Sequence, residues 1–115
     1  MRIILGISAS IAAYKSLELI RNLRKKSIEI FPILTENAKD FVSPLSVETL
    51  SENSLVSKKQ THIDLDRLGD VLVIAPCTAN VLAKCANGIA DDKLTTTFLN
   101  FKGPKVLVPA MHDTM

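Results

Sequence analysis

Continuous apolar runs alternate along the chain with segments whose apolar residues recur every three or four positions. Two such runs, Arg2 to Ser8 and Val71 to Ala75, are typical of strands buried on both faces of a sheet. Glu29 to Thr35 and Lys105 to Val108 predict two further strands. Pro32 removes one backbone donor from the second strand, so we expect that strand at a sheet edge or with a bulge.

Helical patterns lie between these strands. Ser10 can cap a first helix, because Ala13, Leu17 and Ile20 follow it at spacings that share one face. Further helices are predicted from Glu36 to Phe41, Pro44 to about Ser51, Thr78 or Asn80 to about Ala86, and Asp91 or Asp92 to about Leu99. Residues 52 to 61 are predicted as a loop. The alternation predicts one α/β domain, a Rossmann-like three-layer sandwich with a mostly parallel sheet and right-handed crossovers.

Composition fits a packed domain and excludes several classes of protein. Of the 115 residues, 47% are hydrophobic and 23% are charged, which excludes a disordered chain. A net charge of +2 without basic and aromatic patches argues against a nucleic-acid partner. Lys15, Glu18 and Arg21 follow the first strand too soon for a signal peptide or a membrane span. Cys77 and Cys85 fit no zinc or redox spacing, which favours two reduced thiols in a cytoplasmic protein.

Small polar residues follow the first three predicted strands. Ser8 to Ser10 follow the first, Thr35 to Asn37 the second, and Thr78 to Asn80 the third. Ligands of open α/β sheets bind at the carboxyl ends of the strands, where helix N-termini favour anions. Each of these strand–helix joints, where a strand ends and the next helix begins, is equally well explained alone as an ordinary helix cap. Their coincidence on one sheet edge predicts a polar rim suited to a phosphate and a heteroaromatic ring.

The two histidines are candidates for proton transfer or substrate binding. His62 follows the polar loop, and histidine side chains can serve as general acids or bases near neutral pH. A lone histidine there is more often an ordinary surface or half-buried residue. His112 and Asp113 follow the last strand, and without further context they indicate only a polar turn. No spacing of histidines and acidic residues indicates a metal site.

Six segments, in order along the whole chain, resemble the flavin-dependent cysteine decarboxylases. The segments are Ser8–Lys15, Leu34–Ala38, His62–Leu65, Ala75–Asn80, Gly88–Asp92 and Pro109–Met115. Each segment alone is a weak signal, but the ordered set is specific. The resemblance is closest to the phosphopantothenoylcysteine decarboxylase module of coenzyme A biosynthesis. It implies decarboxylation of 4′-phosphopantothenoylcysteine to 4′-phosphopantetheine, with flavin mononucleotide (FMN) as cofactor, by a homotrimer or a multiple of trimers with flavin at subunit contacts.

The resemblance also implies roles for individual residues. Those that would contact FMN are Ala9, Ser10, Ile11, Thr35, Thr78, Ala79, Asn80, Val81 and Ala110. His62 matches the active-site histidine of the family. His112 falls where the best-known form of the motif has an asparagine that holds the substrate carboxylate, and Met115 matches the methionine that closes the motif.

The sequence departs from the family at one feature. Family members continue into a substrate flap whose cysteine donates a proton in the final reduction, and neither Cys77 nor Cys85 occupies that place. We therefore expect residues 1–115 to form a single flavin-binding domain without the flap. By itself, this domain should stall in the decarboxylation reaction before the saturated product forms. Two alternatives are another FMN-binding flavoprotein, such as a prenyltransferase or a reductase, and a non-catalytic flavin-binding subunit.

Overall fold

Four parallel strands in the order β2–β1–β3–β4 form the central sheet of the computed structural model. The strands are β1 (Arg2–Ile7), β2 (Glu29–Leu34), β3 (Val71–Cys77) and β4 (Lys105–Pro109). The α-helices are α1 (Tyr14–Lys25), α2 (Pro44–Ser51), α3 (His62–Leu68), α4 (Ala79–Ala86) and α5 (Lys93–Asn100), and short 3-10 helices span Ile11–Ala13 and Glu36–Asp40. The structure describes residues 1–57, 60 and 62–115, and the side chains of residues 62 and 63 lie outside this described part.

The side chains of β1 alternate between two apolar cores, one on each face of the sheet. Ile3, Leu5 and Ile7 pack on the face covered by α1 and α2, whereas Ile4 packs on the face covered by α3, α4 and α5. A strand buried in this way needs apolar residues at every position, which is why β1 is a continuous apolar run. The predicted three-layer sandwich is therefore confirmed. Pro32 lies in the edge strand β2, as predicted.

Side chains cap the helices that begin at Ile11, Ala79 and Lys93. The Ser10 hydroxyl accepts the backbone N–H two residues further on, at 3.1 Å. Thr78, not Asn80, caps α4, and Asp92, not Asp91, caps α5 through a capping box. The sequence left both pairs open because threonine, asparagine and aspartate are all suitable N-caps.

Three features of the fold differ from the sequence-based expectation. The helix α3 was not predicted, because its seven residues are too few to show the helical repeat of apolar positions. The segment Glu36–Asp40 is a 3-10 helix that ends one residue before the predicted boundary. The strand β3 continues through Pro76 to Cys77, and the register with β4 shifts between Ile74 and Cys77. This shift accommodates a residue that cannot donate to the ladder.

Gly6 allows α5 to approach the central strand closely. A Cβ at this position would lie 2.3 Å from Cδ1 and 3.2 Å from Cγ of Leu94, whose side chain is buried. We therefore expect Gly6→Ala to lower the free energy of unfolding by about 1–3 kcal/mol through overpacking. Urea denaturation measures this loss.

A double-mutant cycle identifies the cause. Leu94→Ala alone should cost about 2–5 kcal/mol because it leaves a cavity. Since it also removes the atoms that a Cβ at Gly6 would meet, the double variant should be less destabilised than the sum of the two single variants. Strictly additive costs would contradict the proposed contact.

Candidate functional site

The carboxyl ends of all four strands meet at one edge of the sheet because the strands are parallel. Residues just beyond a strand pair with the end of a neighbouring strand through backbone hydrogen bonds: Ser8 N to Pro76 O (3.3 Å), Thr35 N to Ile7 O (3.1 Å) and Ala110 N to Cys77 O (3.0 Å). These bonds bring the predicted polar joints together as one rim. We call this edge, with Ala9, Thr35, Thr78 and their neighbours, the strand-end rim.

A cavity of about 140 Å³ lies in the strand-end rim. Five of the predicted cofactor-binding residues line it, namely Ala9, Thr35, Thr78, Asn80 and Val81. They come from three different strand–helix joints, so the folded chain creates a site that no single joint contains. A larger cavity of about 640 Å³ adjoins Thr35 and extends between the loop at residues 55–57 and the start of α5.

The hydroxyl of Thr35 is buried and has no hydrogen-bond partner among the described residues. Although Thr35 precedes the 3-10 helix Glu36–Asp40, its side chain makes no capping bond there. Buried hydroxyl groups without a partner are rare and costly. Thr35 lines both cavities, so its hydroxyl lies beside the space that a polar ligand could occupy.

Four further residues line the smaller cavity, namely Glu36, Asn37, Lys84 and Asp92. Glu36 and Asn37 belong to the polar segment predicted after the second strand, whereas the sequence analysis gave no site role to Lys84 or Asp92. Lys84 is the one cationic residue of the described lining, and its Nζ lies 2.9 Å from a carboxylate oxygen of Asp91. This hydrogen bond raises the pKa of Lys84 and lowers the pKa of Asp91. Lys84 follows Asn80 by four positions and therefore shares its helix face, a spacing that could have identified it.

Three other predicted residues differ in what their side chains can offer a ligand. The Ser10 hydroxyl oxygen accepts one capping bond, yet its own proton remains free to donate. Ala79 is half-buried at the start of α4, and Ile11 is 77% exposed. The side chain of His62 lies outside the described residues, and its backbone begins α3.

Ala110, His112 and Met115 follow β4. Ala110 is half-buried beside the end of β3, whereas His112 and Met115 are exposed. The Nδ1 atom of His112 lies 3.2 Å from the Thr114 N–H and 2.9 Å from a carboxylate oxygen of Asp113. A neutral ring cannot satisfy both, because the first contact needs a lone pair on Nδ1 and the second needs a proton. When Nδ1 accepts from Thr114, Nε2 carries the proton and presents a donor.

No group of three or more histidine, cysteine or acidic side chains among the residues that the structure describes could hold a metal ion. No helix in this part of the chain is long and apolar enough to cross a membrane.

Comparison with known proteins assigns the chain to a family. A family model described as "Flavoprotein" matches residues 1–115. The chain belongs to the flavoprotein family. Among curated members, the coenzyme A biosynthesis bifunctional protein CoaBC of Escherichia coli is 37% identical over 122 residues, and that of Bacillus subtilis is 41% identical over 121 residues. These alignments cover 99% and 98% of this chain, which spans about 30% of the length of either relative.

Solved flavoprotein structures have the same fold. The FMN-dependent cysteine decarboxylase SpaF superposes with a TM-score of 0.91 at 34% identity, over 99% of this chain and 70% of SpaF. A variant PPC decarboxylase complexed with pantothenoylaminoethenethiol superposes with a TM-score of 0.83 at 29% identity, over 97% of this chain and 68% of that one. The predicted resemblance to flavin-dependent cysteine decarboxylases is confirmed.

Cys77 lies at the end of β3 directly before the strand-end rim, and it is fully buried. Burial, with a smaller effect of Cys85, raises the pKa of the Cys77 thiol to about 11 from 9.0. At pH 8 such a thiol is roughly 0.1% ionised, against roughly 10% for an ordinary one, and only the thiolate reacts.

We expect native Cys77 to resist iodoacetamide at pH 8 in a Cys85→Ser variant, as followed by mass spectrometry. Urea should restore labelling, whereas complete labelling of the native protein within minutes would contradict the burial argument.

Proposed function

We propose that this chain binds FMN at the strand-end rim and takes part in the decarboxylation of 4′-phosphopantothenoylcysteine to 4′-phosphopantetheine. The observation that carries the proposal is the buried hydroxyl of Thr35, which has no hydrogen-bond partner in the described part of the chain and lies beside a cavity lined from three strand–helix joints. The proposed FMN-binding residues are Ala9, Ser10, Ile11, Thr35, Thr78, Ala79, Asn80, Val81 and Ala110.

The residues of the strand-end rim fit the phosphate of FMN. The hydroxyl groups of Ser10 and Thr35 each have a proton to donate, and phosphate oxygens are strong acceptors. Lys84 also lines this cavity, where its ammonium group is paired with Asp91. The larger cavity, at about 640 Å³, lies within the roughly 300–1,000 Å³ range of small-molecule sites.

The chain's own residues would bind the substrate and transfer protons. Bound FMN would supply the two-electron oxidation of the cysteinyl side chain that makes its carboxylate a leaving group. We assign His62 as the general acid or base. The Nε2 proton of His112 can donate to the substrate carboxylate in the arrangement where Nδ1 accepts from Thr114. Met115 is assigned to the same substrate contact.

The choice of substrate rests on the curated relatives. The CoaBC proteins, at 37% to 41% identity, are named for coenzyme A biosynthesis, whereas SpaF is described only as a cysteine decarboxylase. This favours 4′-phosphopantothenoylcysteine over a peptide that ends in cysteine. Protein loaded with FMN should release carbon dioxide from the first compound and not from the second. The opposite preference would contradict the proposed substrate.

Residues 1–115 are further proposed to form a single flavin-binding domain of a cytoplasmic homotrimer or multiple of trimers. Large apolar side chains on the surface support association with other copies. Ile11 and Tyr14 are exposed beside the first joint, and Val106 and Val108 are exposed on the edge strand β4. Sedimentation of the purified protein distinguishes a trimer from a monomer.

Thr35→Val tests the phosphate contact, because it replaces the hydroxyl by a methyl group of similar size. The flavin-free variant should be at least as stable as wild type, since a buried group without a partner is removed. The Kd for FMN should rise about 10- to 100-fold, which is the usual effect of losing a hydrogen bond to a charged group. Urea denaturation and flavin fluorescence titration measure the two effects.

Thr97→Val is the matched control for Thr35→Val. The Thr97 hydroxyl is also buried, but it donates to the carbonyl of Lys93 within α5 at 2.6 Å. This variant should lose stability and keep the wild-type Kd. If Thr35→Val bound FMN as tightly as wild type, Thr35 would have no contact with the cofactor.

His62→Asn tests the proposed proton transfer. The variant should retain FMN and lose about 100- to 10,000-fold of the rate of carbon dioxide release, the usual contribution of a general acid or base. Release of labelled carbon dioxide from 4′-phosphopantothenoylcysteine measures this rate, and the flavin absorption spectrum reports retention. A variant that turned over at the wild-type rate would remove His62 from the mechanism.

A further inference from the structure

Ser8 lies between β1 and the strand-end rim and is assigned to no role above. It is only 1% exposed, and its hydroxyl makes two hydrogen bonds to the neighbouring strand end. The O–H donates to the carbonyl of Pro76 at 2.6 Å, and the oxygen accepts the backbone N–H of Thr78 at 3.1 Å. One buried side chain therefore joins the first joint of the rim to the third.

The two bonds of the Ser8 hydroxyl are not equivalent. The carbonyl of Pro76 also accepts the backbone N–H of Ser8 at 3.3 Å, so it keeps a donor if the hydroxyl is removed. The Thr78 N–H has no other acceptor among the described contacts. Loss of the hydroxyl would therefore leave this amide unpaired, at the residue whose own side chain caps α4.

We propose that Ser8 is a positioning residue for the flavin site, because its hydroxyl fixes the Thr78 amide before the cofactor binds. Thr78 and Ala9 both line the smaller cavity, and Ser8 directly precedes Ala9. The bond thus sets the separation of two lining elements that are about seventy positions apart in sequence. Sites fixed before binding lose less entropy when the ligand arrives. This inference rests on the proposed binding of FMN.

Ser16 offers a matched control because its hydroxyl also donates to a carbonyl of β3. It is 3% exposed in α1, and its hydroxyl donates to the carbonyl of Ala75 at 2.7 Å, one residue before Pro76. Ala75 does not line the smaller cavity, and among the described residues Ser16 makes no side-chain hydrogen bond to one that does. The variants Ser8→Ala and Ser16→Ala each remove one buried hydroxyl that donates to β3, but only the first removes the acceptor of the Thr78 amide.

The experiment compares FMN binding by wild type, Ser8→Ala and Ser16→Ala at a temperature where all are folded. We expect both variants to lose stability, and only Ser8→Ala to raise the Kd for FMN, by about tenfold. The visible circular dichroism of the bound flavin should also change only in Ser8→Ala, because it reports the surroundings of the cofactor. Equal Kd values and spectra for the two variants would overturn the role of Ser8 and leave the proposed function intact.

Wild-type protein that bound no FMN would instead overturn the proposed function, together with the inference that rests on it.

A measurement on flavin-free wild type covers the case in which Ser8→Ala does not fold. Hydrogen exchange of the Thr78 amide should be slowed well below the rate of an unstructured chain, because Ser8 is its acceptor. Exchange at the unstructured rate would overturn the inference.

Discussion

The pairing of β1 with a parallel neighbour on each side is the interaction on which the rest of the structure depends. β1 pairs with β2 from Arg2 to Ile7 and with β3 from Ile3 to Gly6, and its side chains contribute to the cores on both faces. A strand enclosed on both edges and both faces fixes the position of every layer around it. Because the strands are parallel, it also brings all their carboxyl ends to one edge, where the polar joints form the site.

One buried polar group at this edge has no hydrogen-bond partner among the described residues, and it is informative. Ser10, Thr78 and Asp92 all use their side chains as helix caps, so their presence is explained by the fold alone. Thr35 occupies a similar position, yet its buried hydroxyl makes no such bond. Local stability does not account for this residue, whereas a ligand that supplies the missing partner does.

The two edges of the sheet have different surroundings. β2 is largely buried and packs against α1 and α2, whereas β4 leaves Val106 and Val108 about half exposed. The exposed apolar residues lie on the strand that leads to Ala110 and His112. Association of copies through this edge would place the proposed substrate-binding residues near a subunit contact, in keeping with the proposed oligomer.

The sequence by itself determined the strands, most helices and the family, because these depend on local patterns of apolar residues, caps and short motifs. The apolar run of Val71 to Ala75 and the capping residue Ser10 carry their structural meaning within a few positions. Sequence spacing could not identify α3, which is too short to show a period. The spacing of Lys84 from Asn80 could have identified Lys84, but no spacing shows which residues Ser8 contacts. That contact exists only in the parallel sheet, where the Ser8 hydroxyl bonds to a strand end 68 positions away. The types of residue at each strand end were therefore readable from the chain, whereas the tertiary structure decided which of them share a cavity and which one lacks a partner.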